Sequence, residues 1–228
     1  MKPVSEGIET LHTLVLIPTE MERRHLTNRP DFDFKGPCEL CGFGPITAAA
    51  RTSAMISQHK PARVVLTGIA GTFDPDELPV GTATIFDHVT MYGIGVGNDT
   101  AFLQAEDIGF SQWTGSGRDD GTISGELDLE TPLPSAGGRL LTCCASSRSR
   151  DEARQRLDRF PDAIAEDMEG FGVGLACQLA GVPVAIVRGI SNEVGDRQNH
   201  LWQIPEAMTA AWLAVSELVY RDRWNVMT

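Results

Sequence analysis

Positive charge is scarce in this chain: 19 Lys and Arg stand against 31 Asp and Glu, a formal net charge of -12. With no basic stripe to displace counterions from a phosphate backbone, nucleic acid is excluded as a partner. A small anionic or zwitterionic ligand held in a local pocket is not excluded. No run approaches the ~20 apolar residues that span a bilayer, and residues 1–10 show no basic stretch followed by an apolar one. No membrane partner and no signal peptide are therefore read, and a soluble, cytoplasmic protein is expected. Cysteine is sparse and odd in number (Cys38, Cys41, Cys143, Cys144 and Cys177), which suits reduced thiols better than a disulfide framework. The pair Cys38-x-x-Cys41 lacks a second CxxC and a following His-x₃₋₅-His, so half-buried thiols are expected there and not zinc. The five histidines (His12, His25, His59, His88 and His200) have no ligand spacing, although His88 sits near a strand end and could reach a cleft. Neither a metal nor a cofactor is expected. Internal repeats and low-complexity linkers are also missing.

What the chain does have is enough apolar material for a substantial core: 228 residues, 42% of them hydrophobic. This length fits one domain, residues 1–228, better than two small ones. The aliphatic run 11–17 (LHTLVLI) reads as a strand ended by Pro18. Thr19 stands three residues before Glu22, the spacing of a capping box, so a short helix through Leu26 follows. A strand near 39–43 leads through the turn at Gly42–Pro45 into a helix over 46–58. A third strand, 63–67, ends in a turn, Gly68-Ile69-Ala70-Gly71, and another β-rich run covers 82–90. Residues 93–138, rich in Gly, Ser, Asp and Thr, read as long variable loops. Strand 139–145, helix 150–160 and a short strand 163–166 come next. A helix over 169–180 is closed by Gly181. The apolar strand 183–188 (PVAIVR) has the pattern of one covered on both faces, and an amphipathic helix over 202–220 ends the chain. Alternating strands and helices imply an α/β fold: a three-layer α/β/α domain around a mixed, mostly parallel central sheet. Ligands of such sheets sit at the carboxyl ends of the strands, where residues 18–22, 68–71 and 189–195 gather.

Four motifs stand in order: Thr19-Glu20-Met21-Glu22, then Gly68-Ile69-Ala70-Gly71 with Val80-Gly81. Met168-Glu169-Gly170 with Gly181-Val182-Pro183 follows, and then Arg188-Gly189-Ile190-Ser191-Asn192. Each alone is weak. Together they resemble the purine nucleoside phosphorylase and nucleosidase superfamily over most of the chain, residues 93–138 excepted. The tail Ile190–Arg197 with Trp202 is most similar to the futalosine hydrolase family, which releases hypoxanthine from futalosine for menaquinone biosynthesis. The sibling methylthioadenosine/S-adenosylhomocysteine nucleosidases carry Asp where this chain has Asn192.

The resemblance implies hydrolysis of the N-glycosidic bond of a small-molecule purine nucleoside, with a homodimer or higher homo-oligomer as the assembly. That chemistry needs a better leaving base, a gripped ribose and a nucleophile below C1′. Carried over by motif, Glu22 activates water and Asn192 faces the base, as the catalytic pair. Glu169 accepts the ribose hydroxyls, Met168 lines sugar and base, and Ile69, Ala70, Gly71 and Ser191 complete the substrate contacts. Plainer readings stand beside these. Glu22 also occupies the capping position of Thr19, and a Glu at a helix start complements the dipole. Gly42-Phe43-Gly44 is either a turn near the nucleophile site or a turn only. Gly172 and Gly174 inside a helix suggest close packing on the sheet. Leu66, Gly68 and Ile69, where phosphorylases of this kind have R-x-G-T, offer no group to hold phosphate. A binding module that senses a nucleoside without cleaving it is the alternative of a different class, and an adenine-releasing nucleosidase the alternative within the family.

Overall fold

Side chains of the first strand, β1 (Thr13–Ile17), alternate between two cores: Leu14 and Leu16 face one, Val15 and Ile17 the other, all fully buried. The same alternation recurs in β3 (Arg63–Thr72), where Val64 and Leu66 oppose Val65. It recurs in β13 (Val184–Glu193), where Ile186 opposes Ala185 and Val187. Strands apolar on both sides need cover on both sides, and that produces the two helical layers.

The computed structural model describes residues 12–97, 101–115, 121–129 and 137–220. Residues 1–10 and Leu11, the first residue of the expected N-terminal strand, lie outside them. The helices are α1 (Glu20–Thr27), α2 (Pro45–His59), α3 (Arg150–Arg159), α4 (Gly170–Ala180) and α5 (Ile204–Tyr220). The other strands are β2 (Cys38–Leu40), β4 (Ala83–Phe86), β5 (His88–Tyr92), β6 (Gly95–Val96), β7 (Leu103–Gln104), β8 (Trp113–Thr114), β9 (Thr122–Ile123), β10 (Glu126–Asp128), β11 (Arg139–Cys143) and β12 (Ala163–Asp167). Among the described residues the main sheet runs β10-β5-β11-β12-β3-β1-β2, with β13 paired to both β3 and β4. Pairs β1–β2, β1–β3, β5–β11, β11–β12 and β3–β13 are parallel; β5–β10, β3–β12 and β4–β13 are antiparallel. The mixed, mostly parallel sheet read from the sequence is therefore present. Ala48 and Met55 of α2 and Phe171, Val173 and Cys177 of α4 fill one core. The other is filled by α5, from Met208 to Val219, and by Leu26 of α1. Trp212 anchors the latter against the rings of Phe32 and Phe34 at centroid distances of 4.6 and 6.3 Å.

Several expectations need correction. The stretch Gly68–Gly71 is not a turn but the second half of β3, and residues 189–193 continue β13. Backbone pairing explains both, because Gly68, Ile69, Ala70 and Gly71 lie opposite Arg188, Gly189, Ile190 and Asn192. The 82–90 run breaks at Asp87 into two strands that join different neighbours, β13 and β11. The described part of 93–138 is not all loop: it holds β6 to β10, and β10 joins the main sheet. Helix α4 starts at Gly170, with Glu169 in the N-cap position, and its C-cap Gly181 is left-handed as expected. Helix α5 starts at Ile204 instead of Trp202, because Trp202 itself is extended, with φ -66° and ψ 128°. Of the two glycines expected to pack on the sheet, only Gly174 does, with Leu127 3.0 Å from where its Cβ would stand. A Cβ on Gly172 would collide with the carbonyl of Pro45, so this glycine lets α4 close onto α2. No helix among the described residues is long and apolar enough to cross a membrane.

Candidate active site

The paired strands β3 and β13 bring Gly68 beside Arg188, and charged side chains converge there. A Cβ on Gly68 would collide with Arg188 Nη1 and stand 2.7 Å from Glu22 Oε1, so only glycine leaves room for both. Glu22 arrives from the first turn of α1. Its Oε2 accepts from the Thr19 N–H at 3.0 Å and from the Thr19 hydroxyl, and its Oε1 accepts from the Ile69 N–H at 3.0 Å. The full capping box is present, and the same carboxylate is 3% exposed at the wall of a cavity. Burial raises its pKa above the usual carboxylate value, against the pull of the Thr19 and Ile69 donors and of Arg188.

Glu169 enters from the opposite side, at the head of α4. Its Oε1 accepts from the Gly44 N–H at 3.1 Å, and its Oε2 lies 3.3 Å from Arg188 Nη2. Burial pushes this carboxyl up to about 7; Arg188 opposes the shift and the Asp167 charge adds to it. Arg188 itself is wholly buried, and its Nη2 also binds Asp167 Oδ2. Asp167 is fixed in turn by the Thr142 hydroxyl at 2.6 Å and the Gly170 N–H at 2.8 Å. Burial works against the guanidinium charge, and Asp167, Glu169 and Glu22 outweigh it, so the pKa of Arg188 stays above its ordinary value. Its Nε and Nη1 are buried with no acceptor among the described residues, and Nη1 and Glu22 Oε1 both lie against Gly68.

A bulge between Ile190 and Asn192 leaves Ser191 out of the ladder, while Asn192 pairs opposite Gly71. The Ser191 hydroxyl lies 2.7 Å from Asn192 Oδ1 and 3.3 Å from the Ala70 carbonyl, while Asn192 Nδ2 donates to the Glu193 carbonyl at 2.8 Å. The amide is thereby oriented, with one Nδ2 hydrogen and one Oδ1 lone pair uncommitted. A cavity of about 290 Å³ is lined by Glu22, Ile69, Ala70, Gly71, Met168, Glu169, Ser191 and Asn192. All eight residues singled out from the sequence thus share one space.

Its wall also includes Phe43, from the turn that the sequence left open, and Ser146, Ser147, Glu166, Asp167, Arg197 and Trp202, none of which the sequence reading assigned to a site. Glu166 is buried with its Oε1 on the Ser147 N–H at 2.7 Å and its Oε2 on the Ser147 hydroxyl at 2.7 Å and on Arg156. It therefore holds the β11–α3 loop against the cavity. One signal was available for the Asp167–Arg188 pair: an Arg in a strand apolar on both sides needs a buried anion. The turn Gly42-Phe43-Gly44 does belong to the site, through the Phe43 ring and the Gly44 N–H. His88 does not reach it; its Nδ1 sits 2.8 Å from Asp128 Oδ1 on the exposed sheet edge. No described residue of 93–138 lines the cavity. Burial raises the Cys38 and Cys41 thiols to about 11 and about 12, so both stay protonated.

Comparison with known proteins agrees with this geometry. A family model described as the phosphorylase superfamily matches residues 38–220. Among curated relatives, futalosine hydrolase of Streptomyces coelicolor is 35% identical over 190 residues, covering 78% of this chain and 75% of its own. The 5′-methylthioadenosine/S-adenosylhomocysteine nucleosidase of Tolumonas auensis is 27% identical over 196 residues, covering 83% and 80%. Among solved structures, the nucleosidase of that type from Neisseria meningitidis, in complex with methylthio-immucillin-A, superposes with a TM-score of 0.72 at 18% identity over 92% of this chain and 100% of its own. The chain belongs to the phosphorylase superfamily, as one of its N-glycosyl hydrolases.

Proposed function

We propose that this protein hydrolyses the N-glycosidic bond of a 6-oxopurine nucleoside, futalosine, releasing hypoxanthine and the dehypoxanthine product for menaquinone biosynthesis. The observation that carries this reading is the meeting of Glu22, Glu169 and the oriented Asn192 amide in one cavity. In the mechanism that follows, Glu169 accepts the vicinal ribose hydroxyls and holds the ring as oxocarbenium charge develops. Glu22 orients a water beneath C1′ and takes its proton as the C–O bond forms. The electrons of the breaking C–N bond move into the base, and Asn192 steadies the purine at N7 and O6.

Water is a better nucleophile here than phosphate. Three carboxylates, Glu22, Asp167 and Glu169, surround one guanidinium, so a phosphate dianion under the sugar meets net negative charge. Incubation with futalosine is expected to release hypoxanthine at a rate that added phosphate does not change, with a free sugar as coproduct. Release proportional to phosphate, giving a sugar 1-phosphate, would overturn the hydrolytic reading. Binding with no free base at all would point to a sensor module, and preferential adenine release from methylthioadenosine to the sibling activity.

The raised carboxyl of Glu169 sets the pH dependence. Only its ionised form accepts both hydroxyls, so kcat/KM is expected to rise with pH through about 7 and to level off above it. Stability runs the other way. A carboxyl whose folded pKa exceeds its unfolded value contributes stability below the unfolded pKa and loses it as pH rises through about 7. A pH–rate profile with no limb in that region, measured on the release of hypoxanthine, would remove Glu169 from the ionised role.

A further inference from the structure

Four carboxylates line the cavity, and one of them has no part in the mechanism above. Glu22, Asp167 and Glu169 gather around Arg188. Glu166, 5% exposed, stands on a separate cation, Arg156. That guanidinium is fixed in its turn: Nη2 donates to the Ala145 carbonyl at 2.9 Å, and the group lies 4.9 Å from the centroid of the Tyr92 ring. Paired with it, the Glu166 carboxylate only accepts hydrogen bonds. Its Oε2 is filled by the Ser147 hydroxyl and Arg156, whereas Oε1 has one partner among the described residues, the Ser147 N–H at 2.7 Å. A rigidly held, buried anion in the cavity wall therefore keeps one lone pair uncommitted.

Sheet register places this acceptor relative to Asn192. Gly71 of β3 is paired with Glu166 of β12 on one side and with Asn192 of β13 on the other. In-register residues of neighbouring strands project from the same face. Neighbouring strands lie ~4.8 Å apart, so Glu166 and Asn192 flank Gly71 with roughly 10 Å between their Cα atoms. Asn192 Nδ2 is 3.3 Å from where a Cβ on Gly71 would stand, which puts the amide over the face that the glycine leaves bare. A planar base lying over Gly71 thus meets the amide at one part of its edge and the carboxylate at the next. With N7 and O6 on Asn192, the next position around the ring is N1, beside C6. Hypoxanthine carries a hydrogen there; adenine carries a lone pair. We propose that Glu166 accepts the N1–H of the base, so that Glu166 and Asn192 read adjacent positions and both select a 6-oxopurine. This rests on the nucleosidase reading above and adds a second specificity-determining residue to it. An adenine in the same place sets its N1 lone pair against a carboxylate oxygen and leaves the buried acceptor unpaired.

The test compares release of base from three nucleosides that share one sugar: futalosine, futalosine methylated at N1, and the counterpart with a 6-amino group. Methylation removes the donor and keeps O6 and N7. The wild-type protein is expected to use the N1-methyl compound at least about 10-fold less well in kcat/KM, the size of a lost hydrogen bond to a charged group. Glu166→Ala, which removes the acceptor and makes room for the methyl, should bring that ratio close to one. In Glu166→Gln the oxygen stays on Arg156 and the NH₂ takes the place of Oε1, a donor where adenine has its lone pair. The preference for futalosine over the 6-amino compound is then expected to fall by about 10- to 100-fold. Both readouts are ratios, so a loosened β11–α3 loop, which lowers all three rates together, leaves them unchanged. Ratios that match the wild type in both variants show Glu166 to be a loop anchor and overturn the proposal. Equal use of futalosine and its N1-methyl form by the wild type, a comparison that needs no variant to fold, overturns it as well. A wild-type preference for the 6-amino compound sinks the 6-oxopurine assignment and the proposal with it. If no compound yields free base, the nucleosidase reading fails instead. Calorimetric binding of hypoxanthine, 1-methylhypoxanthine and adenine to the wild type and to Glu166→Gln then decides the role of Glu166 by the same ratios.

Discussion

Glu22→Gln is expected to lower kcat by about 10²–10⁴-fold while the protein remains folded, the span typical of a lost general base. The carboxylate accepts from three donors: the Thr19 N–H, the Thr19 hydroxyl and the Ile69 N–H. Glutamine at the third helical position still completes a capping box. It has one accepting oxygen where the carboxylate has two, so one donor is left short, a cost of about 1 kcal/mol. Against this, the buried negative charge is gone, and burial is the largest influence raising this group's pKa. The two effects oppose each other in stability. Only one of them touches chemistry, because an amide cannot take a proton from water. Thermal unfolding and hypoxanthine release measured on the same preparation separate the roles. A variant that melts earlier but turns over at the wild-type rate would show Glu22 to be a helix cap and nothing more.

The double role of Glu22 also shows how far this site was legible from sequence. The Thr19-x-x-Glu22 spacing announces a helix start by local rules alone, and local rules cannot tell that the same carboxylate also accepts from Ile69 of β3. What placed it at the site was the order of four motifs. Strand alternation in LVLI, RVVL and VAIV revealed the two-sided sheet, because burial on both faces leaves a continuous apolar run. The ends of those strands were harder. Gly68-Ile69-Ala70-Gly71 has the composition of a turn, and its strand pairing comes from β13, about 120 residues later in the chain, which no local window contains. The Asp167–Arg188 pair is of the same kind: each charge is tolerable in the core only because of the other. Arg197 and Trp202 were beyond local reach too, since their contact depends on how the segment after β13 folds back over the cavity. Loops that carry function are positioned by the scaffold, and their own residues say little about where they end up.

Asn192→Asp is expected to shift base preference by as much as ~10⁴-fold in the ratio of 6-oxopurine to 6-aminopurine release, the upper range for a site built around one hydrogen-bond pattern. Hypoxanthine presents O6 as an acceptor, and adenine presents a 6-amino donor in the same place. The Asn192 amide is oriented from both ends, by the Ser191 hydroxyl at Oδ1 and by the Glu193 carbonyl at Nδ2. Its second Nδ2 hydrogen is thus available to O6, and the free lone pair of Oδ1 to the proton that N7 takes up from solvent as the bond breaks. Flipping the amide would set its carbonyl against the Glu193 carbonyl, so that neighbour opposes the alternative orientation. An aspartate changes this pattern at the atom facing the base. A carboxylate oxygen repels O6, whereas a protonated carboxyl can donate to N7 and accept from the adenine amine. The Glu193 carbonyl, 2.8 Å from the present Nδ2, would itself repel the ionised form and favour the protonated one. The variant should therefore lose hypoxanthine release from futalosine and gain adenine release from methylthioadenosine. The measurement is kcat/KM for both nucleosides with wild type and variant, since a change in loop stability alone would lower the two together. If wild-type protein cleaves methylthioadenosine as efficiently as futalosine, Asn192 does not read the 6-position, and the assignment to a 6-oxopurine fails while the superfamily membership stands.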